Sequence, residues 1–378
     1  MPELPRVSVP AADPNAAARI AEVLAPMAPS LVLLFASTSA NVDVLAAELA
    51  RQLPDSRLVG CSTAGELGPH GMALDSVVAV GFPKADFHVA TRLIDLTDPT
   101  LEGIAASADA AVADLATTGV APTRDTVFAL MFADGLAGRE ELLASGLHDA
   151  LGGIPLCGGS AGDAMTFTRT VVIHGAEVRP RAAVLTLVHT LRPFRVFKTQ
   201  HFAPGTEKLV VTSADAATRT VHEINGEPAA EEYARAVGVP VSSLGPNVFA
   251  DHPVVVKIGG DAFVRALARV NTDASLTFMC AIEEGVVLTV AKGGDLVANL
   301  RSAVRDIERS VGEPALVLGC DCVLRRLEIE RRGLAPAVNE ILADLPFVGF
   351  STYGEQLNAT HVNQTLTGVA IGATALHA

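Results

Sequence analysis

The chain has 378 residues, with 28 Lys and Arg against 42 Asp and Glu, and a formal net charge of −14. This length predicts two domains, and an acidic chain without a strongly basic stretch is a poor partner for nucleic acid or anionic membrane surfaces. Apolar residues make up 49% and aromatic residues 4%, with no Trp and two Tyr, so a large core is expected but no platform of rings for stacking bases or sugars.

The amino-terminal sequence, MPELPRVSVP, has neither the basic region nor the apolar region of a signal peptide, which predicts a cytoplasmic protein. No apolar run approaches the roughly 20 residues of a membrane-spanning helix, so no membrane insertion is expected. The cysteines are odd in number, with five in all, and none forms a C-x-x-C motif. A disulfide framework is therefore not expected.

One pattern occurs three times: an apolar strand, an amphipathic helix, and a second strand that ends in a Gly/Ser turn. The first copy starts with LVLLFAS and ends with RLVGCSTAGEL, the second runs from TVFALMFADG to IPLCGGSAGD, and the third from PALVLGCDC to PFVGFSTYGEQ. Apolar residues three and four apart predict the helices, and short continuous apolar runs predict strands covered on both faces. We therefore predict three βαβ units with parallel strands.

The segments between these copies predict further elements. KLVVTSA and TRTVHEI read as a hairpin, Asn225-Gly226 as a turn, and EPAAEEYARAVG as a helix. Four apolar runs then predict a mainly β region, which the helix GGDLVANLRSAVRDIERSVG follows. We predict an α/β fold of repeated βαβ units with mixed sheets, divided into two domains at residues 1–222 and 223–378.

The Gly/Ser turns are the candidate ligand site. Glycine allows close backbone approach, and Ser and Thr hydroxyls with outward N–H groups suit a small polar or anionic ligand at the carboxyl ends of strands. The alternative is a tight turn whose Ser satisfies local backbone groups. The residues predicted to line a common cleft are Ser62, Thr63, Gly159, Ser160, Ser351 and Thr352.

Arg265 is the predicted charged anchor of this cleft. It lies within the largely apolar stretch FVRALARV, where a guanidinium needs a partner. A ligand carboxylate would supply two hydrogen bonds. An internal pair with Asp261 or Glu283 is the alternative.

An enzyme is the less favoured interpretation. Gly158 to Gly162 matches G-x-S-x-G, but the sequence after it reads as loop and strand, whereas a nucleophile elbow needs a helix there. The turn also recurs at Ser62 and Ser351, although a nucleophile is needed only once. A thiol enzyme using Cys61 is a further alternative, but the apolar flank of Cys61 fits a core residue better. We predict no catalytic residue and no nucleophile at Ser160.

No motif predicts a bound metal or nucleotide. The chain has no Walker A lysine motif, no G-x-G-x-x-G opening a helix, no H-E-x-x-H and no EF-hand loop. Cys320 and Cys322 would share one face of a strand, but no further ligand has a diagnostic spacing, so buried structural cysteines are favoured.

Several segments together resemble the FIST family, which is composed of FIST N and FIST C domains. They are VGCSTAGEL, LCGGSAGD, VTSADAATRTVHEINGEPAAEEYARAVG, HPVVVKIGGDAFVRALARVNTDASLTF and VGFSTYGEQ. The resemblance covers nearly the whole chain after about residue 20. It implies an intracellular sensory module that binds a small ligand, with amino acids among the suggested ligands. It also implies a partner such as a histidine kinase, a chemotaxis receptor or a cyclic-di-GMP enzyme.

The expected function is therefore non-catalytic signalling, in which an amino-acid-like ligand biases a partner protein and no cofactor is required. Because the two FIST regions account for the chain, no kinase, cyclase or receptor segment is expected within it. One branch of the family binds haem b through histidine and senses nitric oxide, which leaves a haem sensor as the alternative. His201 in KTQHFAP is the first candidate ligand, with His174 and His361 as rivals. The sequence also leaves open whether the protein forms a homodimer.

Overall fold

A computed structural model describes residues 3–258 and 260–374. It contains three successive repeats, with an insertion before the third. The first repeat contains β1 (Arg6–Pro10), α1 (Ala16–Leu24), β2 (Pro29–Ser37), α2 (Val42–Gln52), β3 (Arg57–Thr63), β4 (Glu66–Gly68), β5 (Gly71–Ala73), β6 (Ser76–Pro83) and β7 (His88–Asp95). The second contains α3 (Leu101–Ala116), β8 (Val127–Ala133), α4 (Glu140–Ala150), β9 (Leu156–Ser160), β10 (Val172–His174), β11 (Glu177–Arg179), β12 (Ala182–His189) and β13 (Phe194–Thr199).

The insertion contains β14 (Phe202–Asp215), β15 (Thr220–Ile224), β16 (Glu227–Pro228), α5 (Ala229–Val237), α6 (Pro246–Asp251), β17 (Val254–Ile258), β18 (Asp261–Arg265), β19 (Leu267–Val270), β20 (Leu276–Phe278) and β21 (Val287–Gly293). The third repeat contains α7 (Leu296–Val311), β22 (Pro314–Cys322), α8 (Val323–Arg331), α9 (Ala335–Ala343), β23 (Phe347–Thr352), β24 (Glu355–Leu357), β25 (Thr360–Val362) and β26 (Leu366–Gly372).

Each repeat contains a βαβ unit with parallel strands, which confirms the prediction. β2 pairs in parallel with β3, β8 with β9, and β22 with β23. Every residue of β8 is buried, as expected for a strand covered on both faces. In the third repeat two helices, α8 and α9, connect the parallel strands.

Each six-stranded sheet also contains strands from a neighbouring repeat. The hairpin β10–β11 of the second repeat extends β3, the hairpin β24–β25 of the third extends β9, and the hairpin β4–β5 of the first extends β23. β7 and β13 likewise lie at the edges of the sheets of the second and third repeats. Because each hairpin is the next pair of strands after a Gly/Ser turn, this exchange brings the three turns together.

The three sheets share one apolar core. The rings of Phe35, Phe132 and Phe350 meet there, with centroids 5.4 Å, 4.6 Å and 5.8 Å apart. All five cysteines are buried and unpaired, as expected without a disulfide framework.

The insertion forms an antiparallel sheet in the order β18-β17-β21-β14-β15-β20-β19, with β16 paired to β15. The division predicted at residue 222 falls within β15. The mixed α/β class with several mixed sheets is confirmed. Of the described helices, none is long and apolar enough to span a bilayer.

Candidate ligand-binding site

Backbone hydrogen bonds join the three Gly/Ser turns to one another. Ala64 N donates to Ser351 O (3.0 Å), Tyr353 N donates to Ser160 O (3.2 Å), and Gly162 N donates to Ser62 O (3.1 Å). The structure therefore brings together all three turns singled out in the sequence.

Four of the five hydroxyls of these turns bond inside the protein. Ser62 Oγ donates to Gly162 O (2.9 Å), and Thr63 and Thr352 donate to Glu66 and Glu355. These side chains and those of Ser160 and Ser351 are at most 1% exposed. Ser351 Oγ is buried without a hydrogen-bond partner among the described residues. A Cβ added at Gly159 would lie 2.6 Å from Thr352 Cγ2, so Gly159 packs tightly against the third turn.

Glu355 is a buried carboxyl that supports the third turn. Thr365 N and Thr365 Oγ1 donate to Glu355 Oε2 at 3.2 Å and 2.7 Å. Burial raises the pKa of Glu355 from 4.5 to about 8, although the hydrogen bonds from Thr352 and Thr365 act in the opposite direction. The carboxyl is therefore mostly protonated at pH 7.

This protonation predicts a pH-dependent difference between the wild type and Glu355→Gln. Since the folded pKa lies above the unfolded value, the stabilisation is present below pH 4.5 and is lost as pH rises towards 8. From pH 5 to 7 the wild type should lose roughly 1 kcal/mol of unfolding free energy per pH unit relative to the variant. Urea denaturation of both proteins at pH 5, 6 and 7 measures this difference, and parallel pH profiles would contradict it.

The surroundings of Ser160 differ from those of a hydrolase nucleophile. Residues 161–171 contain no helix. Ser160 Oγ donates to Glu140 Oε1 (3.1 Å) and accepts from Gln356 Nε2 (3.0 Å), and no histidine of the described residues is hydrogen-bonded to it. Cys61 is fully buried, and burial raises the pKa of its thiol well above the usual value. Neither group is an accessible, activated nucleophile in this arrangement.

A cavity of 560 Å³ lies between the repeats and the insertion. Its volume suits a small ligand. The lining residues are Gly135, Leu136, Ala137, Gly138, Phe167, Ala217, Thr218, Arg219, Ala268, Arg269, Thr277, Phe278, Met279 and Tyr353. A larger cleft of 770 Å³, which follows β13 and α7, includes no residue of the three turns. We therefore take the smaller cavity, which Tyr353 connects to the third turn, as the candidate site.

A closed ring of hydrogen bonds adjoins this cavity. Arg219 lines the cavity and donates from Nη2 to Glu140 Oε2 (2.5 Å), and Glu140 accepts from Ser160. Gln356 then connects Ser160 to His361 Nδ1 (3.2 Å). The ring closes at the carbonyl oxygen of Met279, which accepts from His361 Nε2 (3.2 Å) and from Arg219 Nη1 (3.0 Å). It joins the second repeat, the third repeat and the insertion.

His361 is neutral in this ring. A carbonyl only accepts hydrogen bonds, so Nε2 carries the proton and Nδ1 accepts from Gln356. Burial lowers the pKa of His361, although Glu141 and Glu140 act in the opposite direction. The positive charge in the ring is therefore that of Arg219, which pairs with Glu140 and with Glu141 (2.8 Å).

Two arginines near the site lack an acidic partner. Arg265 Nη1 donates to His361 O (3.0 Å), and Arg269 Nε donates to Asn271 Oδ1 (3.1 Å). In residues 3–258 and 260–374 neither guanidinium has a carboxylate within 4.0 Å, so Asp261 and Glu283 do not pair with Arg265. Arg269 lines the cavity, whereas Arg265 does not.

The three histidines considered for haem are engaged elsewhere. His201 Nε2 contacts Glu328 Oε2 (2.9 Å), and His174 Nε2 contacts Thr91 Oγ1 (3.0 Å). Both ring nitrogens of His361 are bonded, and none of the three lines the cavity. Nε2 of each histidine could bind a haem iron only if the hydrogen bond it makes here were broken. The residues present therefore do not fit a haem in this arrangement.

Sequence reasoning named Ser160 and His361 of the ring, but it missed other residues of the ring and the cavity, including Arg219, Glu140 and Tyr353. Arg219 and Glu140 are 79 positions apart, and no local spacing connects a hairpin turn to the start of a helix. The acidic pair Glu140-Glu141 after Gly138 indicated where α4 begins. It did not indicate that Arg219 would be the partner of Glu140.

The chain matches two family models and is similar to a solved structure. A family model described as the FIST N domain matches residues 30–227, and one described as the FIST C domain matches residues 229–358. No curated protein matches the chain. A solved structure of a cyanuric acid hydrolase from A. caulinodans is similar over 100% of both chains, with 10% identity and a TM-score of 0.37. At that score it supports no inference about activity.

Proposed function

Because this chain belongs to the FIST family, whose domains are sensory domains that bind small ligands, we propose that it is a non-catalytic sensor of an amino-acid-like ligand. The ligand binds in the 560 Å³ cavity between the repeats and the insertion. The observation that supports this best is the ring from Arg219 through Ser160 and His361 to Met279, since it connects the cavity wall to the second repeat, the third repeat and the insertion.

The cavity can recognise a carboxylate through Arg269. A guanidinium without an internal acid binds a ligand carboxylate with two charge-assisted hydrogen bonds. Arg265, the anchor expected from the sequence, is the second arginine whose contribution to carboxylate binding should be measured. The cavity wall also contains Thr218 and Thr277, whose hydroxyls can accept hydrogen bonds from the amino group of such a ligand.

A ligand that binds one arrangement of the insertion better than another shifts the population towards that arrangement. We further propose that this shift alters a surface to which a cytoplasmic partner binds. The partner is a protein such as a histidine kinase, a chemotaxis receptor or a cyclic-di-GMP enzyme.

A thermal-shift screen of amino acids and small carboxylates tests the proposal. A ligand at 100 times its Kd should add about 2.7 kcal/mol of stability. Arg269→Gln should remove most of the shift of a carboxylate ligand, whereas Arg265→Ala should retain it. Loss in Arg265→Ala alone would return the anchor to Arg265. No shift with any compound at millimolar concentration would contradict the proposal.

A further inference from the structure

An aromatic pair forms part of the cavity wall. The rings of Phe167 and Tyr353 are stacked, with centroids 4.7 Å apart and an interplanar angle of 23°. Phe167 is 44% exposed, whereas Tyr353 is 4% exposed. Phe167 therefore covers a face of Tyr353 that would otherwise be open to the cavity.

Tyr353 is held rigidly. Its hydroxyl donates to Asp163 Oδ1 and accepts from Met165 N (2.8 Å). These bonds fix the position of the ring, so Tyr353 presents a preorganised aromatic face.

The backbone that carries Phe167 is also held. Asp163 accepts from the N–H groups of Phe167 (2.9 Å), Thr168 (2.6 Å) and Arg169 (2.9 Å). The ring of Phe167 has no such anchor and is half in solvent. Rotation of its side chain can uncover Tyr353 without unfolding this segment.

The same segment contains left-handed backbone at residues other than glycine. Ala164, Met165 and Phe167 have φ values of 54°, 65° and 52°. Such conformations are unfavourable for these residue types and persist only where surrounding contacts maintain them. They are common at ligand sites. Here they place Phe167 over Tyr353.

We propose that the cavity binds an aromatic carboxylate, whose ring replaces that of Phe167 on Tyr353 while its carboxylate pairs with Arg269. This rests on the proposed function and narrows its ligand class. Phe167 acts as an internal competitor for the aromatic face. Other walls of the cavity, including Met279 and Phe278, supply apolar surface around the bound ring.

Titrations with L-phenylalanine and L-cyclohexylalanine test this inference, because the two probes differ in the aromaticity of the ring. Stacking should make L-phenylalanine bind about 3- to 10-fold more tightly. Phe167→Ala should strengthen L-phenylalanine binding by a similar factor, since the competitor is gone. Leu191→Ala truncates an exposed apolar residue that lies outside the cavity and is the matched control, expected to change Kd less than about 2-fold.

Tyrosine emission gives a direct readout, because the chain has no Trp and two Tyr. Tyr233 is 1% exposed, so the change on binding should come from Tyr353 and should vanish in Tyr353→Phe. Equal affinity for both probes, or weaker L-phenylalanine binding in Phe167→Ala, would overturn the aromatic assignment and leave the sensor proposal standing. Binding of neither these probes nor any screened compound would overturn both.

Discussion

Replacing Gly158 by Ala is expected to lower the unfolding free energy by about 3 kcal/mol. A Cβ at this position would lie 1.9 Å from the carbonyl oxygen of Met131 on the adjacent parallel strand. A strand backbone cannot move aside as a flexible side chain can, so the β8–β9 pair would have to separate. The corresponding distances are 1.8 Å at Gly60 and 1.9 Å at Gly349, so we expect the same behaviour in all three repeats.

Gly245→Ala is the matched control. Gly245 has an extended φ of 176° and no atom within 4 Å of the added Cβ. Its change in unfolding free energy should stay within about 1 kcal/mol. Urea denaturation of the two variants measures both values, and equal stability would show that the first glycine of the turns is not required for strand packing.

Replacing Arg219 by Met is expected to destabilise the fold by about 3 to 5 kcal/mol. Glu140 is 2% exposed and would lose its charged partner. Burial alone would lower the pKa of Arg219, but the negative charges of Glu140 and Glu141 raise it. The two carboxylates therefore stabilise the charged guanidinium. Calorimetric or urea unfolding measures the loss.

Two comparisons separate the loss of charge pairing from the loss of packing. Arg235→Met breaks the pair of Glu232 with an arginine that is 67% exposed, and should cost less than about 1 kcal/mol. Adding Glu140→Gln to Arg219→Met removes the unpaired buried charge and should recover part of the stability. A double variant less stable than Arg219→Met would contradict the assignment of the cost to Glu140.

The repeats were predictable because their information is local. Runs such as the one in β8 are apolar at every position, and this suffices to predict a buried strand. The exchange of hairpins between repeats was not predictable. Its pairings, such as Gly349 with Leu67, join residues far apart in sequence, and no periodicity specifies which distant edge a short hairpin will extend.

The candidate site was predictable only in part. The turns were found because glycine and serine recur in the same pattern, but the pattern is equally explained by packing at Gly60 and by internal bonds at Ser62. The cavity beside the turns depends on side chains such as Phe167 and Arg269, whose positions in the sequence do not indicate that they lie close together. Tertiary contact alone brings them together.

The central claim, that a small ligand occupies the cavity between the repeats and the insertion, is tested most directly by filling that cavity. Ala268 lines it, whereas Leu191 is 61% exposed and lies outside it. We expect Ala268→Trp to abolish the thermal shift produced by the tightest ligand of the screen, and Leu191→Trp to retain it. A full shift in folded Ala268→Trp protein would place the ligand elsewhere and contradict the claim.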